Sequence, residues 1–169
     1  MLYGKDLSGN PIVSVSNGEI IGHVKDLYTD KEMNAITGLY LGVKGLLDRT
    51  PLTIDQADIV TVGPDAVLVN RPTALREGQQ FIAKDWVRRD EIQGRNITTT
   101  GSTPVGIIDD LMFDQQGRIK GFSLSYVYVE GPVREKRAID REAVADLGHE
   151  SGTMTCYLAA VEHQELAAV

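Results

Sequence analysis

Cysteine is nearly absent from the chain. Cys156 is the only one in 169 residues, so no disulfide can close within the chain, and a disulfide-stapled secreted scaffold is excluded. The expected role of Cys156 is that of a small buried hydrophobe on a strand, and one cysteine fits a cytoplasmic location. Histidine is also scarce. His23, His149 and His163 stand alone, without His-x-x-x-His spacing or cysteine neighbours, so no zinc site is expected. His23 is expected to be a partly buried strand residue. No apolar run approaches the roughly 18 residues that span a bilayer. The first residues, Met1 to Asp6, lack an apolar core after a basic start, so no signal peptide is expected and membrane association would come only through a partner. Basic residues are in the minority: 17 Lys and Arg against 24 Asp and Glu give a formal charge of −7. That balance argues against a nucleic-acid groove, which draws on clustered cations.

Catalytic motifs are missing as well. Ser14, Ser16 and Ser151 lie outside any nucleophile elbow, and there is no Gly-rich phosphate loop. Asp109 and Asp110 form the single Asp-Asp pair, but neighbours on a strand face opposite ways and do not make a shared carboxylate site. No catalytic, cofactor-binding or metal-ligating residue is assigned, no cofactor is expected, and the chain is not expected to be an enzyme.

What the chain does contain is a core-forming composition, 42% hydrophobic and 24% charged, and an internal echo. Ile20 to Asp30 (IIGHVKDLYTD) recurs as Pro104 to Asp114 (PVGIIDDLMFD), with a hydrophobic pair, a glycine, then Leu and a closing Asp. The likeness extends outward. Leu7 to Ile12 matches Ile92 to Ile97, each a hydrophobe and glycine leading into a first strand. Asn17-Gly18 and Gly101-Ser102 supply turns tolerant of positive φ, so strands one and two form a hairpin. Apolar residues on both faces at Leu27-Tyr28 and Met112-Phe113 indicate a bulged second strand or one covered on both sides. Asp26 and Asp110 beside Leu, and Asp30 and Asp114 at the turn, read as structural.

The third strand has period-two faces, Leu39, Leu41 and Val43 in one copy and Phe122, Leu124, Tyr126 and Tyr128 in the other, which are expected to build the cores. Lys44 to Arg49 and Glu130 to Lys136 follow as solvated hairpin tips; the charge of the second makes it the alternative docking patch for an acidic partner. Thr53 to Gly63 and Ala138 to Gly148 each fit a short strand, one helical turn and another strand, with Asp55 and Asp140 placed to cap the turn. Ala66 to Val69 and Met154 to Leu158 supply last strands. The connection Arg71 to Val87 is too apolar for a free linker. A short helix is expected near Thr73 to Glu77, with Leu75, Phe81, Ile82, Trp86 and Val87 packing between the units. The tail, Ala159 to Val169, has helix formers.

The expected fold is all-β: two tandem small six-stranded barrels, each with one short helical turn. Their ranges are 1–70 and 88–169, with a partly ordered connection over 71–87.

These features together resemble the PRC-barrel domain family. The likeness rests on Gly9 to Ile12 and Gly94 to Ile97, on Gly22 to Leu27 and Gly106 to Leu111, on the strands opened by Gly38 and Gly121, and on Ile54 to Gly63 and Ile139 to Gly148. The resemblance implies a six-stranded barrel of the kind found in the cytoplasmic part of the photosynthetic reaction-centre H subunit and at the C-terminus of the ribosome maturation factor. The chain lacks the H subunit's membrane helix, and its first half is unlike the maturation factor's N-terminal domain. The resulting expectation is a non-enzymatic protein-interaction or regulatory module with a protein partner and a possible homo-oligomer. A small-ligand or electron-transfer-associated regulator of the H-subunit type is the alternative.

Overall fold

The computed structural model describes residues 1–164; Glu165 to Val169, the end of the expected helical tail, lie outside the described residues. The chain divides into two compact units, one of Met1–Asp90 with Phe113–Arg118, the other of Glu91–Met112 with the chain from Ile119 onward. Both are built from short strands, and the fold class is all-β.

Unit 1 contains β1 (Leu2–Tyr3), α1 (Gly4–Leu7), β2 (Pro11–Ser14), β3 (Ile20–His23), β4 (Asp26–Thr29), β5 (Ile36–Lys44), β6 (Thr50–Asp55), β7 (Ile59–Val62), β8 (Val67–Val69), β9 (Arg76–Glu77) and β10 (Val87–Arg88). Two ladders result, β3-β2-β8-β7 and β10-β4-β5-β6-β9. The Asn17-Gly18 turn closes the β2–β3 hairpin, Gly18 taking φ +72° at no steric cost. The expected bulge in the second strand is a complete change of partner. Val24 N donates to Asn10 O at 2.9 Å, whereas Lys25 N donates to Tyr40 O at 2.8 Å, so the backbone leaves one ladder and enters the other within one residue. Asp26, Leu27, Tyr28 and Thr29 are then all buried, as the two-sided apolar pattern implied. The segment Phe113–Arg118 adds Gly117 O and Gln115 O as acceptors for Ile36 N and Val62 N.

Unit 2 contains β11 (Asn96–Thr99), β12 (Pro104–Phe113), β13 (Ile119–Val127), α2 (Pro132–Lys136), β14 (Ala138–Asp140), β15 (Val144–Asp146), β16 (Thr153–Cys156) and α3 (Leu158–Glu162). Its six strands follow the order β14-β13-β12-β11-β16-β15. The strands at the two ends, β14 and β15, are neighbours in sequence, joined by the 3-10 turn Arg141–Ala143, which is the connectivity of a small barrel. In both units the strand that opens the first hairpin pairs in parallel with a later strand, β2 with β8 and β11 with β16.

The local bonds correspond closely. Gly9 N donates to Val24 O and Gly94 N to Ile108 O, both at 2.8 Å, with φ +90° and +84° at the two glycines. The residue after β2 and after β11 also matches: Val15 N donates to Val69 O at 2.9 Å, and Thr100 N donates to Cys156 O at 3.0 Å.

Several expectations are corrected. The connection has a three-residue 3-10 turn, Pro72–Ala74, where a helix to Glu77 was expected; β9 then pairs antiparallel with β6. A backbone that covers a sheet edge satisfies more polar groups than a free helical turn would. Trp86 packs within unit 1, its ring centroid 5.5 Å from that of Tyr28. The Glu130 to Lys136 segment is not a bare tip, because it folds as α2 and buries Val133. The tail forms α3, burying Val161, and Gln164 follows it onto the edge of β14. There its amide donates to Ala138 O at 2.7 Å and accepts from Asp140 N at 3.2 Å. The chain after β8 thus covers the edge of β6 by backbone, and the chain after β16 covers the edge of β14 by a side-chain amide.

Candidate functional site

The carboxylates repeated between the halves are held by backbone. Asp26 Oδ1 accepts from Leu27 N at 2.9 Å and Asp110 Oδ1 from Leu111 N at 2.8 Å, both within buried residues. Asp30 Oδ1 accepts from Asn34 N and Ala35 N; Asp114 Oδ1 accepts from Gln116 N and Arg118 N. These are turn-forming bonds in which the side chain replaces a backbone acceptor. Asp55 caps its 3-10 turn as expected, accepting from Ala57 N at 2.8 Å, but Asp140 makes no such bond, and its own amide is bonded to Gln164. Asp110 is buried and Asp109 is partly exposed, in keeping with opposite faces of β12.

The remaining singled-out residues are dispersed. His23 is exposed rather than partly buried, because β3 ends its ladder and pairs only with β2. His149 Nδ1 lies 3.5 Å from Arg95 Nη1, and His163 Nδ1 lies 2.9 Å from Ala159 O, both exposed. Ser14 Oγ meets Ser16 Oγ at 3.0 Å, and Ser151 Oγ donates to Thr153 O at 3.1 Å. Cys156 is fully buried, and burial pushes its thiol up to about 11.

A surface of different character lies at the end of β13. Phe122 and Leu124 are buried as expected, but Tyr126 and Tyr128 are 55% and 51% exposed and leave the core face that the alternation assigns them. The reason is the length of the neighbour. β14 pairs with β13 only over Gly121, Phe122 and Ser123, so the strand outruns its cover. Val43 is exposed for a similar reason, on the part of β5 that projects with β6.

Tyr126 and Tyr128 then turn to each other, ring centroids 4.8 Å apart and planes at 56°. With Val127, Arg134 and Arg137 they line an open hollow of about 240 Å³. Arg137 fixes its wall. It closes α2 in the left-handed region at φ 51°, its amide donates to Val133 O at 2.8 Å, and its guanidinium donates to Ser125 O at 2.6 Å. A non-glycine residue in that conformation carries local strain, here held by those two bonds. Arg134 Nη1 donates to Glu130 Oε1 at 2.6 Å across one turn, and both side chains are largely exposed. Such a pair contributes little to stability and exchanges readily for another carboxylate.

The hollow therefore combines two aromatic faces with two guanidinium groups, one fixed and one able to change partner. Sequence patterning missed it, because Tyr126 and Tyr128 continue the period of Phe122 and Leu124. The signal was the change of residue type from Phe and Leu to Tyr at the point where β14 has run out.

A second hollow of about 460 Å³ in unit 1 is lined by Thr53, Asp55, Asp58, Arg71, Arg76 and Phe81, among others. Here the charges answer each other. Asp58 Oδ1 accepts from Asn70 Nδ2 at 3.1 Å and from Arg71 Nη2 at 3.3 Å, with Arg76 at 4.0 Å from the other oxygen. Arg76 also sits over the Phe81 ring at 5.5 Å. This cluster fastens the connection to unit 1.

No curated protein matches the chain. Residues 1–76, which hold α1, strands β1 to β8 and the first residue of the covering strand β9, match the family model of the PRC-barrel domain. The match lies within unit 1, and by it that unit is similar to a PRC-barrel domain.

Proposed function

We propose that the chain is a non-enzymatic protein-binding module made of two PRC-type barrels, and that it holds an acidic segment of a partner protein at the Tyr126, Tyr128, Arg134 and Arg137 hollow. The observation that carries this reading is the exposure of two tyrosines in tilted ring contact beside two arginines in unit 2. Tyr and Arg are enriched among the residues that dominate binding energy in protein interfaces, because Tyr buries a large area with few rotatable bonds and Arg offers a planar fork of directed donors. Arg137 presents its guanidinium with its position already fixed, which lowers the ordering cost of binding. The non-catalytic reading is supported by the engagement of Asp26, Asp30, Asp110 and Asp114 with backbone amides.

The test is affinity capture with the full chain and with a Tyr126→Ser/Tyr128→Ser variant. Both tyrosines are exposed, so the variant keeps its fold, checked by an unchanged melting curve. A protein retained by the parent chain and lost with the variant supports the reading. Retention unaffected by the variant places binding elsewhere on the molecule.

A further inference from the structure

The turn between β5 and β6 differs from its counterpart in unit 2. Beyond Tyr40 the two strands continue as a projecting hairpin, pairing Val43 with Pro51 and Lys44 with Thr50. Gly45 at φ +86° and Arg49 at φ +46° shape its turn, and Leu46 and Leu47 at the tip are 97% and 95% exposed. The corresponding stretch of unit 2 is α2, whose Val133 is buried. Two leucines with almost no contact in the folded chain stabilise nothing there, and exposed apolar side chains grouped at one point mark a contact surface.

We propose that the Leu46-Leu47 tip inserts into the interface of a phospholipid bilayer, with Lys44 and Arg49 at its base directed to the lipid phosphates. Charge points to this occupant. Lys44, Arg49 and Asp48 give the turn a net positive sign on a chain of formal charge −7, so an anionic surface attracts the hairpin while the chain as a whole carries the opposite sign. The Lys44 ammonium makes an exposed pair with Glu77 at 3.1 Å, which a phosphate can replace. Shape points the same way. Two leucines on a convex turn offer far less than the ~800 Å² per partner of a stable protein interface, whereas a fluid bilayer needs no matching groove. A second copy of the chain is disfavoured at the hollow of Arg134 and Arg137, which would set cations against Lys44 and Arg49. Two inserted side chains give weak, reversible attachment of the kind that needs a second contact to persist.

The experiment is co-sedimentation of the full chain with extruded vesicles of phosphatidylcholine alone and of an equal mixture with phosphatidylglycerol. Alongside it, a Leu47→Cys variant labelled with an environment-sensitive fluorophore reports on the tip; buried Cys156 does not compete for the label. Binding to the mixed vesicles, a blue shift of the label, and a loss of about tenfold or more in partitioning for Leu46→Ser/Leu47→Ser support the proposal. A Lys44→Gln/Arg49→Gln variant is expected to lose the preference for the anionic mixture but keep the residual binding to phosphatidylcholine. The proposal is overturned if the chain stays in the supernatant with both vesicles, if the serine variant binds as the parent does, or if the label shifts only with an added protein. Substitutions at Tyr126 and Tyr128 leave vesicle binding unchanged, which separates this test from that of the protein-binding surface.

Discussion

Asp26 and Arg89 are 63 residues apart in sequence and 2.7 Å apart in space, carboxylate Oδ1 to guanidinium Nε. Asp26 is buried, and its second oxygen faces Arg88 at 3.6 Å and the amide of Asp90 at 3.3 Å. The end of the connection is therefore tied to the change-over point of unit 1, where β3 gives way to β4. Removing the carboxylate leaves Arg89 without this partner in a mostly buried place. Asp26→Ala is expected to lower unfolding stability by about 3 kcal/mol, read as a shift of the urea midpoint at constant slope. Asp26→Asn keeps the acceptor for Leu27 N and is expected to cost less.

Trp86 bears on a glycine. A Cβ at Gly38 would stand 2.9 Å from the Trp86 ring and 2.9 Å from Ile54 O, and a backbone oxygen cannot move aside cheaply. Gly38→Ala is expected to cost roughly 1–3 kcal/mol and to change the emission of the single tryptophan. An unaltered spectrum and midpoint would show that the contact is looser than the structure has it.

The Gln164 amide takes the place of a neighbouring strand on β14. Gln164→Ala is expected to cost about 1–2 kcal/mol and to speed hydrogen exchange at the Asp140 amide while leaving amides of β11 unchanged.

Asp114 supplies a pH-dependent term. Burial pushes its carboxyl up, but the bonds from the Arg118 amide and guanidinium and from the Gln116 amide outweigh that and hold it below the usual carboxylate value. A folded value below the unfolded one means that the stabilisation is complete above about pH 4 and disappears as pH falls through the folded value. The stability gap between the parent chain and Asp114→Asn is therefore expected at neutral pH and to close on acidification. A gap that widens in acid would reverse the sign of this term.

The sequence pattern carried the strands, the hairpin turns and the structural role of the repeated aspartates, because glycines at positive φ and Asx turns are local and leave local signatures. It failed where length and partnership decide. Tyr126 and Tyr128 obey the same alternation as Phe122 and Leu124, and only the extent of β14 separates exposed from buried. The solvated hairpin tip expected at Lys44 to Arg49 is present, and Leu46 and Leu47 are exposed on it. Their exposure follows from the register of β5 on β6, which continues past the barrel to Val43 and Lys44. His23 is exposed because β3 ends its ladder, a fact of topology that one strand cannot announce.

The central claim is that a partner protein sits on the hollow at the end of β13. The most direct measurement places a photo-crosslinking benzoylphenylalanine at position 128 in the full chain, with the same residue at exposed Val60 as the control, followed by irradiation in the source cell. The account predicts one discrete covalent adduct from position 128 that is absent from position 60. Equal labelling from both positions, or no adduct from position 128, would contradict it.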